Sequence, residues 1–296
     1  MNSALESAHK LKSSNVVSYL LVVVAMISIQ SGASLAKNLF PILGPEGTTT
    51  LRLGIAAVIL CSIWRPWRHS LSRTEKISIL AYGLSLGAMN FLFYQAIERI
   101  PLGLAVGLEF TGPLSVSLLA SRKSLDFLWA GLAALGIYLI LPAMTHTTSL
   151  DPVGVIFALS AGACWAGYIL FGQRAGGFTH AGTVTAWGMV AAALLVSPFG
   201  LVTSGSAFLQ ISIWPVAILV GILSSALPYS LEMLALRSLP TKNFGILMSA
   251  EPAIAAISGV LFLHEQLMAT QWLALLSIMV ASMGSAMTSQ ITQAHS

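Results

Sequence analysis

Residues 101–120, PLGLAVGLEFTGPLSVSLLA, are apolar almost throughout and carry a single charge, Glu109. A helix of that length rises about 30 Å, the thickness of a bilayer's hydrocarbon core. Runs of the same kind recur along the whole chain. Charged residues make up 8% of the 296 positions and hydrophobic residues 56%, against about 25% charged in a soluble domain. These proportions describe an integral membrane protein. No polar block is long enough to be a separate soluble domain. The formal charge of +4 does not indicate nucleic acid, because the basic residues sit in short gaps between apolar runs, where they set topology. Cys61 and Cys164 lie inside apolar runs and offer no disulfide framework.

Taken in order, the chain predicts ten transmembrane helices between polar tails at 1–15 and 290–296. The spans run over about 16–36, 47–64, 77–97, 101–120 and 126–144, a sixth opens at Pro152, and the rest run over about 182–201, 213–236, 241–263 and 270–289. The flanks of the first mimic a secretory signal, with Ser34-Leu35-Ala36 in the place of a cleavage box. It is read as a retained helix, since it has a counterpart in the second half. Gly44-Pro45-Glu46-Gly47 predicts a turn before the second span. Ser72-Arg73-Thr74-Glu75 fits a capping box opening the third, and Asp151-Pro152 an N-cap with proline at the first helical position.

With both termini cytoplasmic, that side receives Lys10, Lys12, Arg65, Arg68, Arg73, Lys76, Arg122, Lys123, Arg174, Arg237 and Lys242. The opposite side receives Lys37 and Arg99, and Arg52 lies within a span. This skew fixes the expected orientation.

The halves repeat. Gly47-Thr48-Thr49-Thr50 through Ala56-Ala57 aligns with Gly182-Thr183-Val184-Thr185 through Ala191-Ala192 at an offset of 135, and Pro101 and Pro113 align with Pro240 and Pro252 at an offset of 139. Five spans per half force the second half to enter the membrane upside down. The expected domains are thus one five-helix repeat at 16–144 and an inverted one at 152–289. Inverted repeats around a site at the bilayer midplane are typical of secondary transporters.

A carboxylate at membrane depth costs about 2.5–3.5 kcal/mol on insertion scales and marks a pathway or a polar interior. Glu109 and Glu251 are two such groups. Glu251 lies roughly 16 Å along its helix from Pro240, near the middle of the bilayer. Glu109 lies roughly 12 Å from the start of its own helix. Desolvation disfavours a charged carboxyl, which suits each to take up a proton. The bland alternative is a fixed ion pair between helices. Pro113 lacks an N–H, so the carbonyl of Glu109 loses its helical partner and offers an acceptor beside the carboxylate. Arg52 is the natural partner for either glutamate or for a substrate carboxylate, but near its span's end it could also snorkel to the surface. Glu232, five residues before Arg237, reads as a structural or gate residue. Gln30, Asn90, Tyr94 and Tyr229 are polar groups at depth, and Asn90 and Tyr229 occupy matched positions of the two halves. Trp64, Trp67, Trp129, Trp214 and Trp272 lie near span ends and read as interfacial anchors.

Gly83-Leu84-Ser85-Leu86-Gly87 matches the G-x-S-x-G pattern of a nucleophile elbow. That motif needs a strand-to-helix turn, and here it falls inside an apolar helix, where close helix packing through the glycines is the better reading. No Gly-Lys pair occurs, so there is no P-loop. No His/Cys/Asp/Glu cluster has metal-site spacing, and no cofactor is expected.

The ten spans, the five-plus-five repeat and the Glu251-Pro252 pair resemble the EamA-type transporters of the drug/metabolite transporter superfamily. The blocks SIQSGASLAKNLFP (28–41), FYQAIERIPLGLAVGLEFTGPLSV (93–116), AGACWAGYILFGQRAG (161–176) and LPYSLEMLALRSLPTKNFGILMSAEPA (227–253) carry that likeness over nearly the whole chain. The resemblance implies a bacterial inner-membrane protein that exports small hydrophilic amino acids such as threonine and homoserine, in exchange for protons. Its expected partners are therefore the amino acid, protons and membrane lipid. Residue chemistry agrees: a zwitterion needs an acceptor for its ammonium (Glu109, Glu251 or the freed Glu109 carbonyl) and a donor for its carboxylate (Arg52 or a half-helix N-terminus). Asn90 and Tyr94 are candidates for a substrate hydroxyl. Alternatives are an exporter of other metabolites or toxic analogues, an intramembrane enzyme using Ser85, and a receptor-like scaffold.

Overall fold

The computed structural model describes residues 2–120, 124–140, 151–176, 180–236, 239 and 241–289. The described residues are helical with short connections. Nine helical stretches among them are long and apolar enough to cross a membrane, and a shorter apolar helix covers Leu125–Leu139. The last corresponds to the expected fifth span, whose residues 141–144 lie outside the described part, as do Arg122, Lys123 and Arg237.

The local start signals act as read. Helix α1 is Asn2–Lys37, and α2 is Phe40–Trp64. Helix α3 (Arg73–Arg99) opens with a full capping box: Glu75 N donates to Ser72 Oγ at 3.3 Å, and Ser72 N donates to Glu75 Oε2 at 2.7 Å. Helix α7 (Pro152–Gly176) is capped by Asp151, whose Oδ1 accepts from Val153 N at 2.8 Å. The expected turn at 44–47 is instead a kink inside α2. Gly44 takes φ 61°, a conformation open to glycine, and Pro45 restarts the helix. Thr48 and Thr49 then donate back to Gly44 O and Pro45 O, both at 2.7 Å.

Two spans are broken close to a proline. The fourth divides into α4 (Leu102–Glu109) and α5 (Thr111–Ala120), with Pro113 in the first turn of the second piece. After α6 (Leu125–Ile140), α7 and α8 (Ala181–Ser204), the ninth span divides into α11 (Thr241–Met248) and α12 (Glu251–Leu263), with Pro252 opening the second piece. A proline removes one helical donor, and each break falls where that loss is taken up. A third irregularity is a π turn at Ile222–Ala226, joining α9 (Trp214–Gly221) to α10 (Leu227–Leu236). Helix α13 (Ala269–Ser289) completes the bundle.

Glycines set the closest approaches. A side-chain carbon at Gly103 would lie 2.5 Å from Ala256 of α12, and one at Gly107 2.6 Å from Leu275 of α13. Gly83 meets Gly188 and Ala191 of α8, and Gly87 meets Ala192, so the G-x-S-x-G stretch is a helix-packing seam. Trp129 is less an anchor than a packing residue, lying against Gly284 and donating to Thr288 Oγ1 at 3.2 Å. At the end of the bundle holding Lys37, Glu265 ties three segments: its Oε1 accepts from Lys37 Nζ and its Oε2 from Leu102 N, both at 2.9 Å. Large apolar side chains such as Val202 and Leu119 remain outside, as expected of a lipid-facing surface.

Among the described glycines the closest approach is between α5 and α7, where a side-chain carbon at Gly112 would collide with the carbonyl oxygen of Gly162. Gly112→Ala should lower stability by about 1–3 kcal/mol or more through overpacking. Gly131→Ala, on α6 with nothing within 4 Å, should be neutral or stabilising by up to about 1 kcal/mol. Thermal unfolding of both variants in detergent checks the pair.

Candidate functional site

The two proline-linked helix breaks border a cavity of about 90 Å³, with Glu109, Met248 and Glu251 in its wall. One water needs about 10–15 Å³ on this measure, so the space suits a few waters or one small solute. Its walls come from both ends of the sequence: Gln30 on α1, Arg52 on α2, Asn90 on α3, Glu109 on α4, Tyr229 and Glu232 on α10, and Glu251 on α12.

Arg52 does not snorkel. It is 3% exposed, donating through Nη2 to Ser224 O at 2.6 Å and through Nε to Ser225 Oγ at 2.9 Å. Both acceptors belong to the π turn, whose extra residue shifts carbonyls out of the ordinary helical ladder. The guanidinium also lies over the ring of Tyr94, 5.0 Å from its centroid. Gly32 makes this approach workable: a side-chain carbon there would lie 2.8 Å from Ser224, so α1 packs directly on the π turn. Ser28 on the same helix donates to Leu223 O at 2.7 Å.

Glu251 opens α12, and its Oε1 accepts from Gln30 Nε2 at 2.9 Å. Its Oε2 and Gln30 Oε1 are buried with no partner among the described residues. Buried polar atoms are nearly always satisfied, so unpaired ones on a cavity wall are what an arriving ligand or proton would meet. Asn90 is held by a bond from its Nδ2 to Leu86 O at 2.8 Å, and it reaches the cavity together with Tyr229, its matched residue.

Two expectations need correction. The freed carbonyl of Glu109 does not face the cavity beside its carboxylate. It packs against α7, where a side-chain carbon at Gly162 would lie 2.6 Å from it. Tyr94 does not line the cavity but lies fully buried beneath Arg52, its hydroxyl without a partner among the described residues. Glu232, read as a structural or gate residue near Arg237, lines the cavity, where a gate residue could stand. Sequence reasoning missed Trp165 and Tyr168 of α7, which also line it, and the serine pair 224–225. Trp165 had a signal: it falls at the middle of its span, away from the interfaces where tryptophan gathers. Here it meets Phe110 edge-on at 5.3 Å, and Tyr168 stacks on Tyr82 at 4.8 Å. No group of His, Cys, Asp or Glu able to hold a metal occurs among the described residues.

The cavity thus combines three carboxylates with one guanidinium inside an apolar bundle. Comparison with known proteins says what such bundles do. Over 269 residues the chain is 52% identical to the threonine/homoserine exporter RhtA of Salmonella typhimurium (strain SL1344), covering 91% of each. Over 268 residues it is 51% identical to the threonine/homoserine exporter RhtA of Escherichia coli (strain K12), covering 90% of each. Residues 152–287 match the EamA-like transporter family. The chain belongs to the EamA-like transporter family. It is a multi-pass membrane transporter and not an enzyme. A solved crystal structure with 16% identity has the same fold, with a TM-score of 0.62 over 93% of this chain and 97% of the other.

Arg52→Lys keeps the charge but cannot span the two acceptors of the π turn. It should lose about 1.5–3 kcal/mol of stability, the scale of a hydrogen bond to a charged group. Thermal unfolding in detergent measures this, and an unchanged transition would mean the guanidinium fork does not hold the helices.

Proposed function

We propose that this chain is a secondary transporter of the bacterial inner membrane that exports small hydrophilic amino acids, threonine and homoserine among them, in exchange for protons by alternating access. The observation that carries the mechanism is the excess of carboxylates over cations in the cavity. Arg52 can balance one of Glu109, Glu232 and Glu251. Leaving the others charged and unpaired in an apolar bundle would cost several kcal/mol each. They are therefore balanced by protons or by a cation brought in. A substrate ammonium that takes the place of a proton is the elementary step of antiport. The Arg52 guanidinium, or an N–H at the start of α12, receives the substrate carboxylate. Asn90 and Tyr229 meet a side-chain hydroxyl, with Gln30 holding Glu251 in position. Tyr94 supports Arg52 from behind. Relatives named as threonine/homoserine exporters share about half of their residues with this chain, which supports the substrate class. An exporter of other metabolites or toxic analogues would use the same chemistry.

Alternating access needs two equivalent routes, and several features support an inverted pair of repeats at 16–144 and 152–289. α4 ends at Glu109 and α11 at Met248, which differ by the offset of 139 that relates the prolines. Helix packing exchanges in the same way: α3 on α7 corresponds to α10 on α1, while α2 on α8 and α6 on α13 map onto themselves. Gly47 packs against Ser204 at the end of α8, and Gly182 against Trp64 at the end of α2. The Lys/Arg skew supports a cytoplasmic location for both termini. A reporter fused after Ser296 should accordingly be active only when it needs the cytoplasm, and periplasmic activity would overturn this orientation.

Inverted vesicles should take up labelled threonine and homoserine when a proton gradient is applied, and not without one. Glu251→Gln should abolish gradient-driven uptake while leaving binding measurable, because a neutral amide cannot carry the proton. Glu109→Gln should weaken substrate binding itself by roughly tenfold, the loss of a charged partner. Binding titration and flux on both variants separate these roles, and gradient-proportional export by Glu251→Gln would overturn the assignment.

A further inference from the structure

A second concavity lies on the outside of the bundle between α3 and α8, with a volume of about 870 Å³. Its origin is the glycine seam. Gly83 and Gly87 draw the two helices together, and the larger side chains on either flank then stand up as walls. Leu80, Leu84 and Leu194 line it and are 51%, 40% and 68% exposed, which places this face toward lipid. One end of the groove is different. There Trp67, His69 and Lys76 form the rim, next to Arg65, Arg68 and Arg73 in the same connection. None of these lysine and arginine side chains forms an ion pair among the described residues. Glu75, the acidic residue of that connection, has its carboxylate turned onto Ser72 N in the capping box. His69 is steadied by the ring of His180, 4.9 Å away.

A groove that is cationic at the membrane interface and apolar below it has the chemistry of a phospholipid. From Lys76 to Leu84 the helix rises about 12 Å, close to one leaflet's share of a hydrocarbon core about 30 Å thick. The exposed indole of Trp67 marks the headgroup level at the rim. We propose that this groove binds one anionic phospholipid, its phosphate between Lys76 and His69 and an acyl chain along the α3–α8 seam. Zwitterionic lipids fit the apolar part equally well, so the preference resides in the basic rim, at about fivefold in affinity per cation near the headgroup. The groove lies on the outer face of α3 and α8, and none of the carboxylates that line the central cavity lines it.

Native mass spectrometry of the full-length protein, delipidated and titrated with phosphatidylglycerol or phosphatidylcholine of matched chains, tests this. One phosphatidylglycerol should bind at least fivefold more tightly than phosphatidylcholine. Lys76→Gln with His69→Gln should reduce that preference to within about twofold by weakening phosphatidylglycerol more than phosphatidylcholine. Val190→Trp, which fills the groove from α8, should weaken both lipids. Soluble glycerol phosphate should fail to displace the bound lipid. Equal binding of the two lipids, a preference that survives the double substitution, displacement by glycerol phosphate, or a dimer that excludes lipid and is lost in Val190→Trp would each overturn the proposal.

Discussion

Arg52 sits at depth in an apolar bundle, and much of the surrounding structure exists to keep its charge there. A guanidinium taken from water into such a medium costs several kcal/mol unless its donors are met and its charge is balanced. Two of the donors are met by Ser224 and Ser225, which reach it where the helix carrying them widens into a π turn. Tyr94 supplies a ring face from below, and the carboxylates of Glu109, Glu232 and Glu251 supply opposite charge around the same cavity. The small residues follow from this arrangement. Gly32 lets α1 lie against the π turn, and Gly221 lets that helix lie against Ile55 and the backbone of Arg52.

Backbone at membrane depth normally has to be helical, since no water is there to satisfy a free N–H or C=O. Irregular turns are tolerated where they are buried in protein or line a cavity. All three irregularities near the middle of this bundle follow that rule. The break at Phe110 carries Glu109 and rests on Gly162, the break at Ser249–Ala250 carries Glu251, and the π turn holds Arg52. The departures from regular helix and the polar side chains are thus one feature. The turns present the charges, and the cavity gives the turns a place to be.

The same economy appears at the ends. Glu265 neutralises Lys37 and caps α4 with its second oxygen, so one side chain holds α1, α4 and the connection after α12 together. It meets Gly259 at a spacing that a larger residue would not allow.

What could be read from the sequence is what depends on neighbours in the chain. The capping box at Ser72, the N-cap at Asp151, the carbonyl freed by Pro113 and the packing role of Gly83 all act within a turn or two of the residue concerned. The apolar runs fixed the solvent, and the solvent fixed the helix. The destinations of the polar side chains were decided elsewhere. A lone Arg or Glu in an apolar run has the same local signature whether it turns to lipid, to a headgroup or to a cavity. Arg52 turns inward because Ser224, far along the chain, is there to receive it. The Glu109 carbonyl was legible as freed, but only the packing of α7 showed that Gly162 covers it. Glu232, Trp165 and Tyr168 entered the cavity wall for the same reason. In a bundle whose surface is as apolar as its interior, hydrophobic periodicity does not distinguish inside from outside, and the assembled helices alone set which face a side chain meets.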